Sequence, residues 1–410
     1  MADIRNYLKE KEKREQKQQR QEQQKPEDYE KKLRKHKRAS LYRVLLVVAA
    51  AVALIAVVVV QYKKHLYTDY DIINSVEREY VNGTRELRLG NSILTYSRDG
   101  AHCTDSKGDV KWNQTYDMQD VRVSVCGGTV ALGEYNGRKI YVADTEKLLG
   151  EINTAMPIRN LTVDASGNVT AVLADTDITW VNIYNSSGRL LYEGRTYMSN
   201  SGYPAAVSLS PNGELLCVAY IYVDAGVLKT DVAFYNLGAV GANYSDFFVS
   251  VFSYVDELIP CVQYINDSTA FAVGDGRLMI YSGEQVPKTK REDLYDEEVK
   301  SVFFNERYIG LVFASDDSEH AHKLMVYDTT KDTENIKVGS FYFDLDYTDI
   351  LFEQDKFVIY NESQCLIQTM DGIEKFNGTF SKAVNMMLPM GNTYRYLLIT
   401  EHSIDTIQLK

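Results

Sequence analysis

The chain has 410 residues, 45% apolar and 25% charged, which is the composition of a globular protein with one large or two ordinary domains. Residues 1–43 carry 15 Lys and Arg against 8 Asp and Glu, whereas the remainder carries 30 against 49. A body this acidic lacks the basic face that a nucleic-acid backbone requires, so no nucleic-acid partner is expected. The five cysteines (Cys103, Cys126, Cys217, Cys261 and Cys365) show no CxxC spacing, which excludes a zinc ribbon and a dense disulfide framework. All five fall in strand-like runs and read as small buried hydrophobes.

Residues 1–40 form a charged tail, expected to be helical or disordered. The stretch Glu10–Lys32 has almost nothing apolar before Tyr29 and no heptad seam, which argues against a coiled coil. Ile4, Tyr7 and Leu8 would share one helix face, the only hint of a docking motif. Six of the eight residues Lys31–Arg38 are Lys or Arg. Such a cluster either sets membrane topology or binds acidic lipid, at about 1 kcal/mol per charge.

Residues 41–62 read as a transmembrane helix. Val44–Val60 is 17 residues without a polar side chain, or roughly 26 Å of helix; extension to Leu41 and Gln61 reaches a bilayer core of about 30 Å. Tyr42 and Tyr62 sit at the two ends, where amphipathic rings favour the interface. A cleaved signal peptide would need a short basic start and small residues after the apolar run, and neither occurs, so an uncleaved anchor is expected. Lys31–Arg38 and Arg43 on one side, with Asp69, Asp71, Glu77 and Glu79 beyond Lys63 and Lys64 on the other, place the N-terminus in the cytoplasm and the body outside it. Residues 63–74 read as a linker.

Beyond it one phrase recurs: "KIYVAD" (Lys139–Asp144), "WVNIYN" (Trp180–Asn185), "DVAFYN" (Asp231–Asn236), "RLMIYS" (Arg277–Ser282) and "KLMVYD" (Lys323–Asp328). The polar residues that close these runs are Asp105, Asp144, Asn185, Asn236, Ser282, Asp328 and Asp371, at intervals of 39, 41, 51, 46, 46 and 43 residues, and "SIDTIQLK" (Ser403–Lys410) makes an eighth run. A period of 40–50 residues built from short strands marks a β-propeller. Each unit parses alike. In Val121–Asn153, an inner strand "VRVSV" leads to "TVALGEY", an Asn-Gly turn feeds "KIYVAD", and "LLGEIN" is outermost. The third strand is almost continuously apolar because both faces of a blade pack on neighbours. The predicted fold is all-β, an eight-bladed β-propeller over residues 75–410, with seven blades as the alternative if a terminal unit is degenerate. The first unit starts near Glu86. A strand at about Ser75–Asn82 would complete the last blade and close the ring, hiding edges that would otherwise aggregate.

"DSKGDVKWN" (Asp105–Asn113) resembles the quinoprotein-type propeller repeat, with its Asp, Gly turn and outer-strand Trp. "VSLSPNGELLCVAY" (Val207–Tyr220) resembles the inner hairpin of WD40- and TolB-like repeats. The whole chain, with its basic tail, single span and degenerate propeller, resembles uncharacterised single-pass membrane proteins from clostridial bacteria. That resemblance implies a topology and no activity.

No GxSxG, HExxH or GxxxxGK[ST] motif occurs. Quinone-dependent dehydrogenases of this fold resemble one another in a pair of adjacent disulfide-bonded cysteines, and no two cysteines are adjacent here, so no cofactor is expected. The best metal-like cluster is "SDDSEHAH" (Ser315–His322), where His320, His322, Asp316, Asp317 and Glu319 have divalent-ion chemistry; a solvated turn is the simpler reading. "DLDYTD" (Asp344–Asp349) lacks the glycine and distal glutamate of a calcium loop. Asn-x-Ser/Thr occurs at Asn82, Asn113, Asn160, Asn168, Asn185, Asn243, Asn266, Asn361 and Asn377. These read as turn chemistry rather than glycosylation sites.

The expected function is a membrane-tethered interaction scaffold or sensor at the cell envelope, with an envelope protein as partner and no assigned catalytic residue. The alternative is an envelope hydrolase using funnel carboxylates, for which Asp120, Glu298 and Asp349 are the candidates. Two segments are expected to share a binding rim, Ser282–Lys300 as the loop joining blades five and six, and Ala314–His322 within blade six.

Overall fold

The computed structural model describes residues 2–174, 178–197, 202–316, 318–391 and 394–410. The chain divides into two compact units, residues 1–65 and 66–410.

The first unit is one helix, Ala2–Lys64. Its stretch Lys31–Ile55 is long and apolar enough to cross a membrane, features that would equally suit a signal sequence. Apolar side chains from Leu41 to Ile55 are exposed all round, as for a helix whose natural solvent is not water.

The second unit is an eight-bladed β-propeller of eight four-stranded antiparallel sheets. The inner strands are Arg85–Leu89, Val121–Cys126, Ile158–Val163, Tyr203–Leu209, Cys261–Asn266, Val299–Phe304, Asp349–Phe352 and Val384–Pro389. In blades one to seven the four strands follow in chain order. Blade eight takes its outer strand from the start of the unit: Tyr70–Glu77 pairs antiparallel with Ser403–Leu409. The closing strand thus lies five residues upstream of the expected Ser75–Asn82. The expected linker is correspondingly shortened, since Tyr67 N donates to Lys375 O at 2.8 Å and Tyr67 bridges Phe376. Side chains set this register: Lys410 pairs with Asp71 at 2.5 Å, and the buried Asp405 meets both Ser75 and Lys382.

Each cluster of the core lies between two neighbouring blades. Leu215, Cys217 and Phe234 of blade four pack on Ala270, Met279 and Tyr281 of blade five. At the seam Ile93 of blade one meets Met386, Leu388, Leu397, Ile399 and Ile404 of blade eight. A single blade would leave both faces in water, and closure buries them all. The abundant tyrosines are explained here. Their rings fill space between blades, and a buried hydroxyl needs a partner. Tyr281 is fully buried and its hydroxyl lies 2.8 Å from that of Tyr254 on the preceding blade. Tyr220 and Tyr235 pair in the same way within blade four, at 2.9 Å.

The run-ending polar residues of the repeat also acquire a cause. Asp144 Oδ1 accepts from Glu146 N and Lys147 N, both at 2.7 Å, and Asp105 Oδ1 accepts from Lys107 N at 2.8 Å and Asp109 N at 3.0 Å. Asn185, Asn236 and Asp328 close their turns likewise. A short side chain that satisfies the turn's own amides is the standard reason for Asp or Asn there. The outer-strand Trp112 reaches the next blade, donating from Nε1 to Asp144 O at 2.7 Å.

Candidate functional site

Antiparallel order gives the propeller two chemically distinct faces. Inner strands begin on the first face, which therefore also carries every second-to-third hairpin and every junction between blades. The second face carries the remaining turns, and the chain joins the propeller there, at the start of Tyr70–Glu77.

The segment Ser282–Lys300 is not one loop. Lys288–Leu294 inside it is the outer strand of blade five, because its alternating pattern pairs with Arg277–Ser282. Only 295–298 remains as a junction on the first face. The hairpin at 315–321 and the junction at 344–348 lie beside it. Lys323, only 6% exposed, ties the first two together, with its Nζ 2.5 Å from Glu297 Oε1 and 3.3 Å from Asp316 Oδ2. Burial would lower its pKa, but the two carboxylates outweigh that and hold it above the usual lysine value. Asp344 fastens the third segment, accepting from Ala321 N at 2.9 Å and lying 3.1 Å from His320 Nδ1. His322 packs against Phe343 and Tyr347 and lies 3.8 Å from Asp346. The two expected segments do meet, on a strongly acidic rim that includes Asp296, Glu297, Glu298, Asp316, Glu319, Asp344 and Asp346.

The metal-type residues are dispersed within that rim. His320 faces Asp344, Asp316 faces Lys323, and Asp317 lies outside the described residues. Among the described residues no three His, Cys, Asp or Glu side chains converge in a metal-binding arrangement. The three funnel carboxylates lie on blades two, six and seven, and each is engaged. Asp120 pairs with Arg122 at 3.0 Å and Glu298 with Lys300 at 2.5 Å. Asp349 accepts from Ile350 N at 2.8 Å and Tyr360 OH at 3.3 Å; burial pushes its carboxyl above the usual range.

Around the channel mouth of blades two to four sits a group that motif searching missed. Arg122 and Arg159 both lie over the ring of Tyr135, with Cζ to centroid distances of 5.1 and 5.3 Å. Backbone bonds hold that ring in place: Tyr135 N donates to Asp120 O, Asn136 N to Ile158 O, and Ile158 N to Gly137 O, each at 2.9 Å. Asn136 adopts φ 66°, a left-handed turn conformation that Asn tolerates. The sequence held a signal for the rim and the mouth alike, the matched tripeptides Asp120-Val121-Arg122 and Glu298-Val299-Lys300 at the starts of two inner strands.

Several sequon asparagines are tied into turns. Nδ2 of Asn168, Asn266 and Asn361 donates to Asp164, Glu306 O and Asp346 O at 2.6, 3.1 and 2.6 Å. The five cysteines are free thiols, and burial pushes those of Cys126 and Cys261 up to about 11.

The structure is similar to that of Sqt1 from Chaetomium thermophilum, at 12% identity and a TM-score of 0.51, covering 83% of this chain and 98% of that one. It is also similar to BamB from Moraxella catarrhalis, at 11% identity and a TM-score of 0.47, covering 83% of this chain and all of that one. At 12% identity the likeness to Sqt1 shows the propeller fold and nothing of its use. A search of curated proteins by sequence found no match. Over residues 61–409 the sequence matches the family of unknown function DUF5711, and the chain belongs to that family.

Proposed function

We propose that this protein is a membrane-tethered scaffold or sensor whose propeller lies outside the cytoplasm and binds an envelope protein through the first face at blades five to seven. The observation that carries this reading is Lys323, which joins Glu297 and Asp316 and so makes one preorganised acidic surface from segments distant in the chain. The first face is also the one through which the chain does not enter. For topology the support is the basic cluster Lys31–Arg38 ahead of the apolar helix, together with the resemblance to clostridial single-pass proteins; the same cluster would rest against acidic lipid.

The test is the triple variant Asp296→Lys/Glu298→Lys/Asp346→Lys in the full chain. Proteins co-purifying with the detergent-solubilised wild type should be lost from the variant while its melting temperature holds. A partner retained by the variant would place the binding surface elsewhere. Protease added to intact protoplasts should trim the propeller and spare the tail; a tail digested from outside would reverse the topology.

A further inference from the structure

The propeller unit carries 28 Lys and Arg against 49 Asp and Glu, yet its eight inner strands invert that balance. They hold five cations, Arg85, Arg88, Arg122, Arg159 and Lys300, against two acids, Glu86 and Asp349. Glu86 is paired with Arg78, and Asp349, whose carboxyl burial pushes above its usual range, accepts from Ile350 N and Tyr360 OH. Arg85, Arg122, Arg159 and Lys300 are each the first or second residue of their strand, so all four sit at the first-face end. Asp120 and Glu298, each one residue ahead of its strand, pair with Arg122 and Lys300, so among the described residues the cations at this end not matched in that way are Arg85 and Arg159.

We propose that Arg122, Arg159 and Tyr135 form a binding site for a carboxylate-rich polypeptide segment, a property that rests on the interaction role above and names the partner's chemistry. Among the described residues Arg122 has Asp120 as its one charged partner, at 3.0 Å. Among the described residues the partners of Arg159 are the amide oxygen of Asn136 and the ring of Tyr135, both uncharged. Two guanidinium groups are thus held over one ring, the first paired with the carboxylate of Asp120, and a ligand carboxylate would pair bidentately with the second. The holding is rigid, since Tyr135 and Asn136 are bonded through their backbones to Asp120 and to the start of blade three's inner strand. Preorganised side chains lose little entropy on binding. Tyr203, the first residue of blade four's inner strand and close enough to Arg159 and Tyr135 to feel both, extends the aromatic surface on which an extended segment can lie. A long polyanion would meet the acidic remainder of the face and be repelled; a short acidic segment would not.

The experiment uses the full chain in detergent and a fluorescein-labelled hexaglutamate peptide, read by anisotropy at low ionic strength. Binding should weaken about tenfold in Arg159→Gln, the size of effect expected for one charge-assisted hydrogen bond. It should weaken further in Arg122→Gln/Arg159→Gln and fall as salt is added. Arg159→Lys should retain part of it. Arg195→Gln is the control: Arg195 lies over Trp180 at 4.3 Å on an outer strand, the same chemistry away from the mouth, and its loss should leave binding unchanged. Equal binding by wild type and Arg159→Gln, equal binding of hexalysine, or displacement by inorganic phosphate as effective as by unlabelled peptide would each overturn the proposal. The single variants keep the test decisive if the double variant fails to fold. Retention of the co-purifying partner by the blade-six triple variant would sink the rim reading without touching this one, and loss of the partner together with no hexaglutamate binding would do the reverse.

Discussion

The two faces of the propeller are made of the same strands but specified differently. On the second face many of the turns share one chemistry. Asp105, Asp144, Asp164, Asn185, Asn236, Asn266, Asn305 and Asp328 each accept from amides of their own turn. On the first face such capping recurs at Ser97, Asn361 and Thr400. Elsewhere that face is held by contacts between segments, such as Lys323 with Glu297 and Asp316, or Tyr135 with Arg122 and Arg159. Local capping repeated through blades one to six serves folding, because each of those turns needs its amides satisfied. Unrepeated tertiary contacts that differ from blade to blade serve a local purpose, and they sit where charge of both signs is concentrated.

The harshest test removes what both faces share. Deleting Ser403–Lys410 takes away the strand that pairs with Tyr70–Glu77 and the seam residue Ile404. With two edges exposed and the ring open, the cooperative thermal transition should vanish and the protein should aggregate in size-exclusion chromatography. An unchanged melt would show that the ring does not depend on this strand.

A milder test separates the faces. Asp144→Ala removes an acceptor for two amides at 2.7 Å and should cost about 1–2 kcal/mol by urea denaturation. Partner co-purification and hexaglutamate binding should stay as in wild type. If either falls, the second face is not merely a scaffold.

On the first face, Asp349→Asn should act in the opposite direction. Burial raises the folded-state carboxyl above its ordinary value of 3.8, so wild-type stability is complete below that pH and is lost as pH rises through the folded-state value. The variant should therefore be the more stable at pH 7, with the advantage gone below about pH 3.8; equal stability at pH 7 would mean that the carboxyl is ionised without penalty. Smallest in stability is the triple charge reversal at Asp296, Glu298 and Asp346, expected within about 0.5 kcal/mol of wild type because all three are exposed. A larger loss would show that the acidic rim, too, is structural.

Much of the propeller is legible in the one-dimensional pattern. Period, strand order and turn positions follow from apolar runs closed by Asp or Asn, because burial between blades and amide capping are requirements each repeat states for itself. The apolar span is legible for the same reason, since its length and composition are local. Three things were settled only by folding. The closing strand is Tyr70–Glu77, chosen by partners more than three hundred residues away such as Asp405 and Lys410. The segment Lys288–Leu294 is a strand although its residues are charged, because an outer strand needs a partner on one edge only and leaves the other to solvent. The Arg122–Tyr135–Arg159 group and the Lys323 bridge join residues from separate blades or distant turns. No local propensity encodes such meetings; ring closure brings them about by fixing where each blade begins.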